Sequence, residues 1–354
     1  MKYLFFIAFL VYSFKTVAQN IPLYLGTYTN ETSDGIYYFD FNTKTGEISN
    51  KKLAATVTNP SFLTYSADKK FLYAVNEVNR YNNTNSGSVS AFSVSKNGLL
   101  QFINSVSSNG NHPCHIELNS NNLAISNYSS GTISIHKVKE NGEIKPAHQI
   151  LNHNTSQQKS HAHSAKFYNS ELFVADLGRN FLAQYVKNNN NFLLTENYLM
   201  DDKSGPRHFE ISKNGDFIYI INEHSSTVTV LKKGVEKYHK IQNINTLDTS
   251  FKGESFCADI HLSNDENYLY GSNRGENSIV VFKRNSLNGT INKIQTISVE
   301  GNWPRNFTIA PNGKFLLVAN QKSNNISVYK VDLKTGKLSY LYSKNTPTPV
   351  CLLF

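Results

Sequence analysis

The stretch GPRHFE, residues 205–210, sets Arg207 and His208 directly behind a Gly-Pro break, and NEH at 222–224 adds Glu223 and His224. Carboxylates and imidazoles draw protons from water, and a guanidinium grips carboxylate or phosphate oxygens through two parallel N–H donors. Together these residues have the parts for hydrolytic chemistry on an anionic substrate. They also admit a structural reading. Arg207 and Glu223 would then pair to tie two strands together, and His208 and His224 would each make a hydrogen bond within the fold. The elements that carry them bear on which reading holds.

Those elements repeat. NPSFLTYSADKKFLYAVNE (59–77), GPRHFEISKNGDFIYIINE (205–223), CADIHLSNDENYLYGSNRG (257–275) and WPRNFTIAPNGKFLLVANQ (303–321) align, with shorter copies HPCHIELNSNNLAISNY (112–128) and HAHSAKFYNSELFVADL (161–177). Each reads as a short apolar strand, a polar turn and a second strand ending in Asn or Asp. A third run with period-2 alternation follows, such as GSVSAFSV or NSIVVFKR. The turn residues in SADKK, SKNGD and APNGK are turn chemistry and nothing more. The first strands open at Pro60, Pro113, Ala162, Pro206, Ala258, Pro304 and Pro349, at steps of roughly 44 to 53 residues, the length of a four-stranded propeller blade. The last copy, TPTPVCLLF, is one strand long. YLGTYT (24–29), GIYYFDF (35–41) and GEISNKKLA (46–54) supply the strands it lacks. The expected fold is all-β: a seven-bladed β-propeller of four-stranded blades, closed by N- and C-terminal strands sharing one blade, which removes free sheet edges.

Antiparallel neighbours bring the start of each first strand and the end of each second strand to one face. The positions after the openings are Ser61, Cys114, His163, Arg207, Asp259, Arg305 and Val350; one place on come Phe62, His115, Ser164, His208, Ile260, Asn306 and Cys351. After the Asn or Asp come Glu77, Tyr128, Leu177, Glu223, Arg274 and Gln321. Columns that only packed blades would repeat one residue type. These vary blade by blade and are rich in ionisable groups, as the wall of a site at the channel mouth would be. Arg207, His208 and Glu223 should all face that mouth.

With HAHS, GPRHFE…NGDFIYIINE, ADIHLS…YLYGSNRG and PRNFTIAPNGKFLLVANQ in register, the chain resembles the seven-bladed propeller lactonases over residues 21–354. This group joins propeller-type 6-phosphogluconolactonases and fungal carboxymuconate-lactonising enzymes. The resemblance implies a lactone-handling site that requires no metal or other cofactor. It carries catalytic roles to Arg207, Glu223, Arg274 and His163, with His161 and His115 as further candidates for the histidine. His115, His161, His208, Asp259 and Arg305 are the expected substrate-binding residues. Opening a lactone needs a base to activate water and positive groups to hold the oxyanion. Glu223 or His163 would be the base, and Arg207 and Arg274 would hold the anion. The expected activity is hydrolysis of a sugar-type lactone, like 6-phosphogluconolactone, to its hydroxy acid. The alternatives are a carboxymuconate-type cycloisomerase and a non-catalytic ligand-binding propeller. A calcium site on Asp176, Glu223 and Asp259 is disfavoured by the Arg and His residues around them.

The 354 residues are 39% hydrophobic and 12% aromatic, enough for a large core. MKYLFFIAFLVYSFKTVAQN opens with a positive charge, an apolar run too short to span a bilayer, and small residues at Thr16 and Ala18. It reads as a cleavable export signal over residues 1–18, leaving one propeller domain over 19–354. An exported chain fits a substrate other than a cytoplasmic phosphosugar. The formal charge is +9, and removing Lys2 and Lys15 with the signal leaves +7. These charges are scattered over turns, so nucleic acid is not the expected partner. The expected partner is a small lactone or anionic sugar acid, and the expected state is a monomer without stable membrane insertion. Cys114, Cys257 and Cys351 show no zinc spacing and should be free thiols.

Overall fold

The computed structural model describes residues 20–354. The signal expected over residues 1–18 lies outside them. Seven four-stranded antiparallel sheets follow one another along the chain. Strands of the first blade span 60–107, the second 113–152, the third 162–199, the fourth 206–245, the fifth 256–298 and the sixth 304–345. The seventh joins Pro349–Leu353 to Asn20–Thr27, Gly35–Asn42 and Ile48–Thr56 in that order. Closure through a shared blade is as the repeat predicts: Tyr24 pairs with Leu353 and Gly26 with Cys351.

Each blade has a second strand, such as Phe71–Asn76 or Phe217–Asn222, that is buried almost throughout. These runs are largely apolar on both faces because both faces meet another blade. In one such contact Tyr73, Val75 and Val89 of the first blade pack on Ile116, Leu123 and Ile125 of the second. At the closure Leu23, Leu25 and Phe39 pack on Leu317, Ala319 and Val328 of the sixth. The intervening turns are self-capped: Ser66 Oγ accepts from Phe71 N at 3.0 Å and Asp68 Oδ1 from Lys70 N at 3.1 Å.

Five of the first strands carry the same irregularity one residue from their start, and in the fifth blade the slip spans two residues, between Cys257 and Ile260. The register slips between Pro60 and Phe62, Pro113 and His115, Ala162 and Ser164, Pro206 and His208, and Pro304 and Asn306. The skipped residue has no cross-strand partner. A β-bulge of this kind re-aims its side chain out of the pleat. Here it turns Cys114, His163, Arg207 and Arg305 into one cavity at the channel mouth.

Candidate active site

Four bulge residues, Cys114, His163, Arg207 and Arg305, meet four second-strand ends, Glu77, Tyr128, Glu223 and Arg274, at one mouth of the channel. Tyr28, just past the strand Asn20–Thr27, completes the lining of a cavity of about 240 Å³. That volume suits a small, sugar-sized molecule rather than a polymer.

Two carboxylates organise the charge. Glu223 Oε2 lies 2.9 Å from Arg207 Nε and 2.7 Å from Arg274 Nη2. Burial opposes the Glu223 charge, but Arg274 and Arg207 outweigh it and hold its carboxyl below the usual range. Arg207 is 2% exposed, and its Nη1 donates to Ala258 O. Arg274 donates to Cys257 O at 3.0 Å, and its guanidinium sits 5.2 Å from the Trp303 ring centroid. Burial, and then Arg207, lowers Arg274 to about 10, so it stays charged at neutral pH. On the other wall, Glu77 Oε2 accepts from Tyr28 OH at 2.9 Å and lies 3.7 Å from Arg305 Nη2. Arg305 also stacks over the Tyr28 ring at 5.3 Å. His163 is 4% exposed. Burial first, then Arg207 and its neighbours, push it well below an ordinary histidine, so it is neutral. The Cys114 thiol donates to His163 O at 3.3 Å, and burial raises it to about 12.

A second layer closes the floor beneath. His208 Nδ1 donates to Asp259 Oδ1 at 2.7 Å, and Arg207 Nη1 lies 3.4 Å from His208 Nε2. Asp259 Oδ2 accepts from Asn306 Nδ2 at 2.6 Å, Phe307 N at 3.2 Å and His261 Nε2 at 3.1 Å. Asn306 Oδ1 in turn accepts from Leu352 N at 2.8 Å. The ring of His115 lies 5.6 Å from that of His208 and 4.4 Å from that of Phe62. This layer therefore links blades four, five, six and seven by polar contacts.

The expected residues fall into three places. His163, Arg207, Glu223, Arg274 and Arg305 line the cavity. His115, His208 and Asp259 lie buried in the floor, behind the first layer. His161 sits at the rim, stacked on Tyr128 at 4.6 Å, with its Nδ1 3.0 Å from Tyr128 O. The fifth-blade register differs by one from the sequence reading. Cys257, not Ala258, pairs as Pro206 does, opposite Asn273, so Ala258 holds the position of Arg207 and Asp259 that of His208. No Pro marks that strand start, but the shared serine of HFEIS and DIHLS would have set it. Tyr28 was overlooked, although it follows YLGT as Glu77 follows AVN. His224 is exposed beyond Glu223.

A separate cluster imitates a hydrolase triad. Ser160 Oγ and His153 Nδ1 both lie within hydrogen-bond reach of Asp176 Oδ2, at 2.5 and 2.8 Å, and His153 Nε2 meets Tyr185 OH at 2.5 Å. The serine donates to the carboxylate instead of to the imidazole, so no nucleophile is activated. The three carboxylates considered for calcium are each engaged apart: Asp176 here, Glu223 by two guanidiniums, Asp259 by two imidazoles and Asn306. All three cysteines are buried and free.

A closed propeller with a small polar cavity at one channel mouth defines a small-molecule site on a rigid ring. The family model described as "Lactonase, 7-bladed beta-propeller" matches residues 22–354. A 6-phosphogluconolactonase of Formosa agariphila is 38% identical over 341 residues, 90% of this chain and 95% of its own. One of Bacillus subtilis is 30% identical, over 94% of this chain and 97% of its own. The solved periplasmic gluconolactonase of Pseudomonas aeruginosa is 29% identical with a TM-score of 0.85, covering 94% of this chain and 98% of that one. The chain belongs to the seven-bladed β-propeller lactonase family, and it is a lactone-hydrolysing enzyme with a small-molecule lactone as substrate. Among the described residues no helix is long and apolar enough to cross a membrane.

Proposed function

We propose that the cavity at the channel mouth hydrolyses a sugar-type lactone, of the 6-phosphogluconolactone or gluconolactone kind, to its hydroxy acid. The observation that carries this is the lining itself: three guanidiniums against two carboxylates, around a neutral imidazole. With one net positive charge it favours an anionic substrate or product. Arg207 and Arg274, already aligned by Glu223, hold the anionic group and the oxyanion that develops on the carbonyl oxygen. A wall base takes a proton from water, the water oxygen bonds to the carbonyl carbon, and the ring C–O bond breaks. The departing oxygen is then protonated and the new acid leaves as its carboxylate.

The enzyme is read as exported. The charged and apolar start of the chain supports this, as does the likeness to a protein named as a periplasmic gluconolactonase. It is read as a monomer that needs no metal. The test is a pH-indicator assay on gluconolactone, 6-phosphogluconolactone and a muconolactone, above the uncatalysed rate, with and without EDTA. We expect turnover of a sugar lactone that survives EDTA and falls at least about 100-fold in Arg207→Ala. No turnover of any lactone would overturn the reading, and EDTA-sensitive turnover would overturn its metal-free form.

A further inference from the structure

Both groups that the sequence offers as the base are poorly placed for that role. Glu223 Oε2 sits against two guanidiniums, at 2.9 and 2.7 Å, and these hold its carboxyl below the usual range and make it a poor proton acceptor. His163 is neutral, but the burial and cations that keep it so also make it a weak proton acceptor. A second carboxylate lines the same cavity, on the facing side of the ring. Glu77 ends the strand Phe71–Asn76 of the first blade, and its side chain is 16% exposed. Its Oε2 is held by the Tyr28 hydroxyl at 2.9 Å. The one guanidinium beside it, Arg305, stands at 3.7 Å, outside hydrogen-bond distance. Glu77 Oε1 makes no hydrogen bond within the described residues and is not sealed from solvent. The backbone is pinned on both sides: Glu77 N donates to Asn59 O at 3.0 Å, and Asn59 Nδ2 donates to Glu77 O at 3.2 Å.

We propose that Glu77 is the carboxylate that takes the proton from the attacking water, with Tyr28 and Arg305 as its positioning residues. The site then has two poles. Arg207, Glu223 and Arg274 hold the acyl end of the lactone, and Glu77 works from the opposite wall. One water O–H bond breaks, its proton passes to Glu77 Oε1, and the water oxygen forms the new bond to the carbonyl carbon. The ring C–O bond then breaks and its oxygen recovers a proton, which resets Glu77. Tyr28 donates to Oε2 and so leaves Oε1 as the open acceptor.

This assignment rests on the lactonase reading, and the experiment separates the two. Steady-state kinetics on the sugar lactone the wild type turns over best would compare wild type, Glu77→Gln, Glu77→Ala, Glu223→Gln and Tyr28→Phe, each checked for folding by thermal melting. For Glu77→Gln we expect kcat to fall at least about 100-fold while KM stays within about threefold. Glu223→Gln should instead raise KM as well as lower kcat, because the arginines it loosens hold both the anionic group and the developing oxyanion. Tyr28→Phe should lower kcat about three- to tenfold, because the hydroxyl only orients Oε2. Added formate should restore turnover to Glu77→Ala and not to Glu223→Gln, which a merely structural role for Glu77 would not produce. A folded Glu77→Gln that keeps more than half of wild-type kcat, or a Glu77→Ala that formate does not rescue, would overturn the assignment with the lactonase reading intact. A wild type inactive on every lactone would overturn both.

Discussion

At the scale of single residues, Glu223 shows why the structural and chemical readings of GPRH…NE were never exclusive. The ion pair that ties Arg207 to Glu223 is present, and so is the cavity that both of them line. A buried pair contributes little net stability, yet losing one partner strands the other charge. Arg207 is 2% exposed with Arg274 beside it, so Glu223→Gln should cost about 3 kcal/mol in chemical denaturation. It should not unfold the protein, since the side chain is 17% exposed and water relieves part of the charge. Cys114 touches the cavity but is no nucleophile: burial raises its thiol to about 12, as it does Cys257 and Cys351. At pH 8 a thiol-titrating reagent should label fewer than one of the three cysteines per native chain in an hour, and all three after denaturation. Rapid labelling of the native protein would contradict this burial.

At the scale of elements, the bulge at the start of the first strands is the device that makes a site from a repeat. In the fourth and sixth blades it frees Arg207 and Arg305 from the ladder and points them inward, while His208 and Asn306 fall into the floor. The floor is an ionic seam across blade boundaries, with Asp259 accepting from His208, His261 and Asn306. His261 shows its strength. Burial opposes the charged imidazole, but Asp259 and Glu210 outweigh it and raise it to about 10, against 6.5 for a free histidine. Its folded value lies above its unfolded one, so it stabilises the fold fully below about pH 6.5. That contribution is lost as pH rises through about 10. Urea midpoints should therefore fall between pH 7 and pH 10, and less so in His261→Gln. Equal slopes in the two proteins would refute the seam's role. Asp259→Ala removes the shared acceptor and should cost about 3 to 5 kcal/mol.

At the scale of the whole molecule, closure holds the site in shape. Pro349–Leu353 completes the blade begun by Asn20–Thr27, and it buries Val350, Cys351 and Leu352 at 1, 2 and 5% exposure. Each such side chain contributes roughly 1.5 to 3 kcal/mol, against a typical net stability of about 5 to 15. A chain ending at Asn345 should thus lose its single cooperative melting transition. Adding back the missing nine residues as a peptide should restore it in part. A truncated chain that melts as sharply as the full one would show that the ring does not depend on its clasp.

Much of this architecture is legible in the chain because it is written locally. Apolar runs of strand length, Asn- and Gly-bearing turns and a regular period each specify a blade without reference to distant residues, and the missing strands at the two ends imply closure. Column reading also found most of the wall, because every blade presents equivalent positions to the same mouth. It slipped at Ala258, where no Pro marks the start, and it passed over Tyr28, whose blade is split between the chain ends. Depth and partnership were beyond it. That His208 lies behind Arg207, that Glu223 is shared by two guanidiniums, and that Glu77 faces only one at 3.7 Å are matters of a few ångströms between residues from different blades. Side-chain type and spacing determine which groups reach the mouth. Only the closed ring, through burial and the mutual neutralisation of charges from distant parts of the chain, decides how strongly each of them is held and how readily it takes a proton.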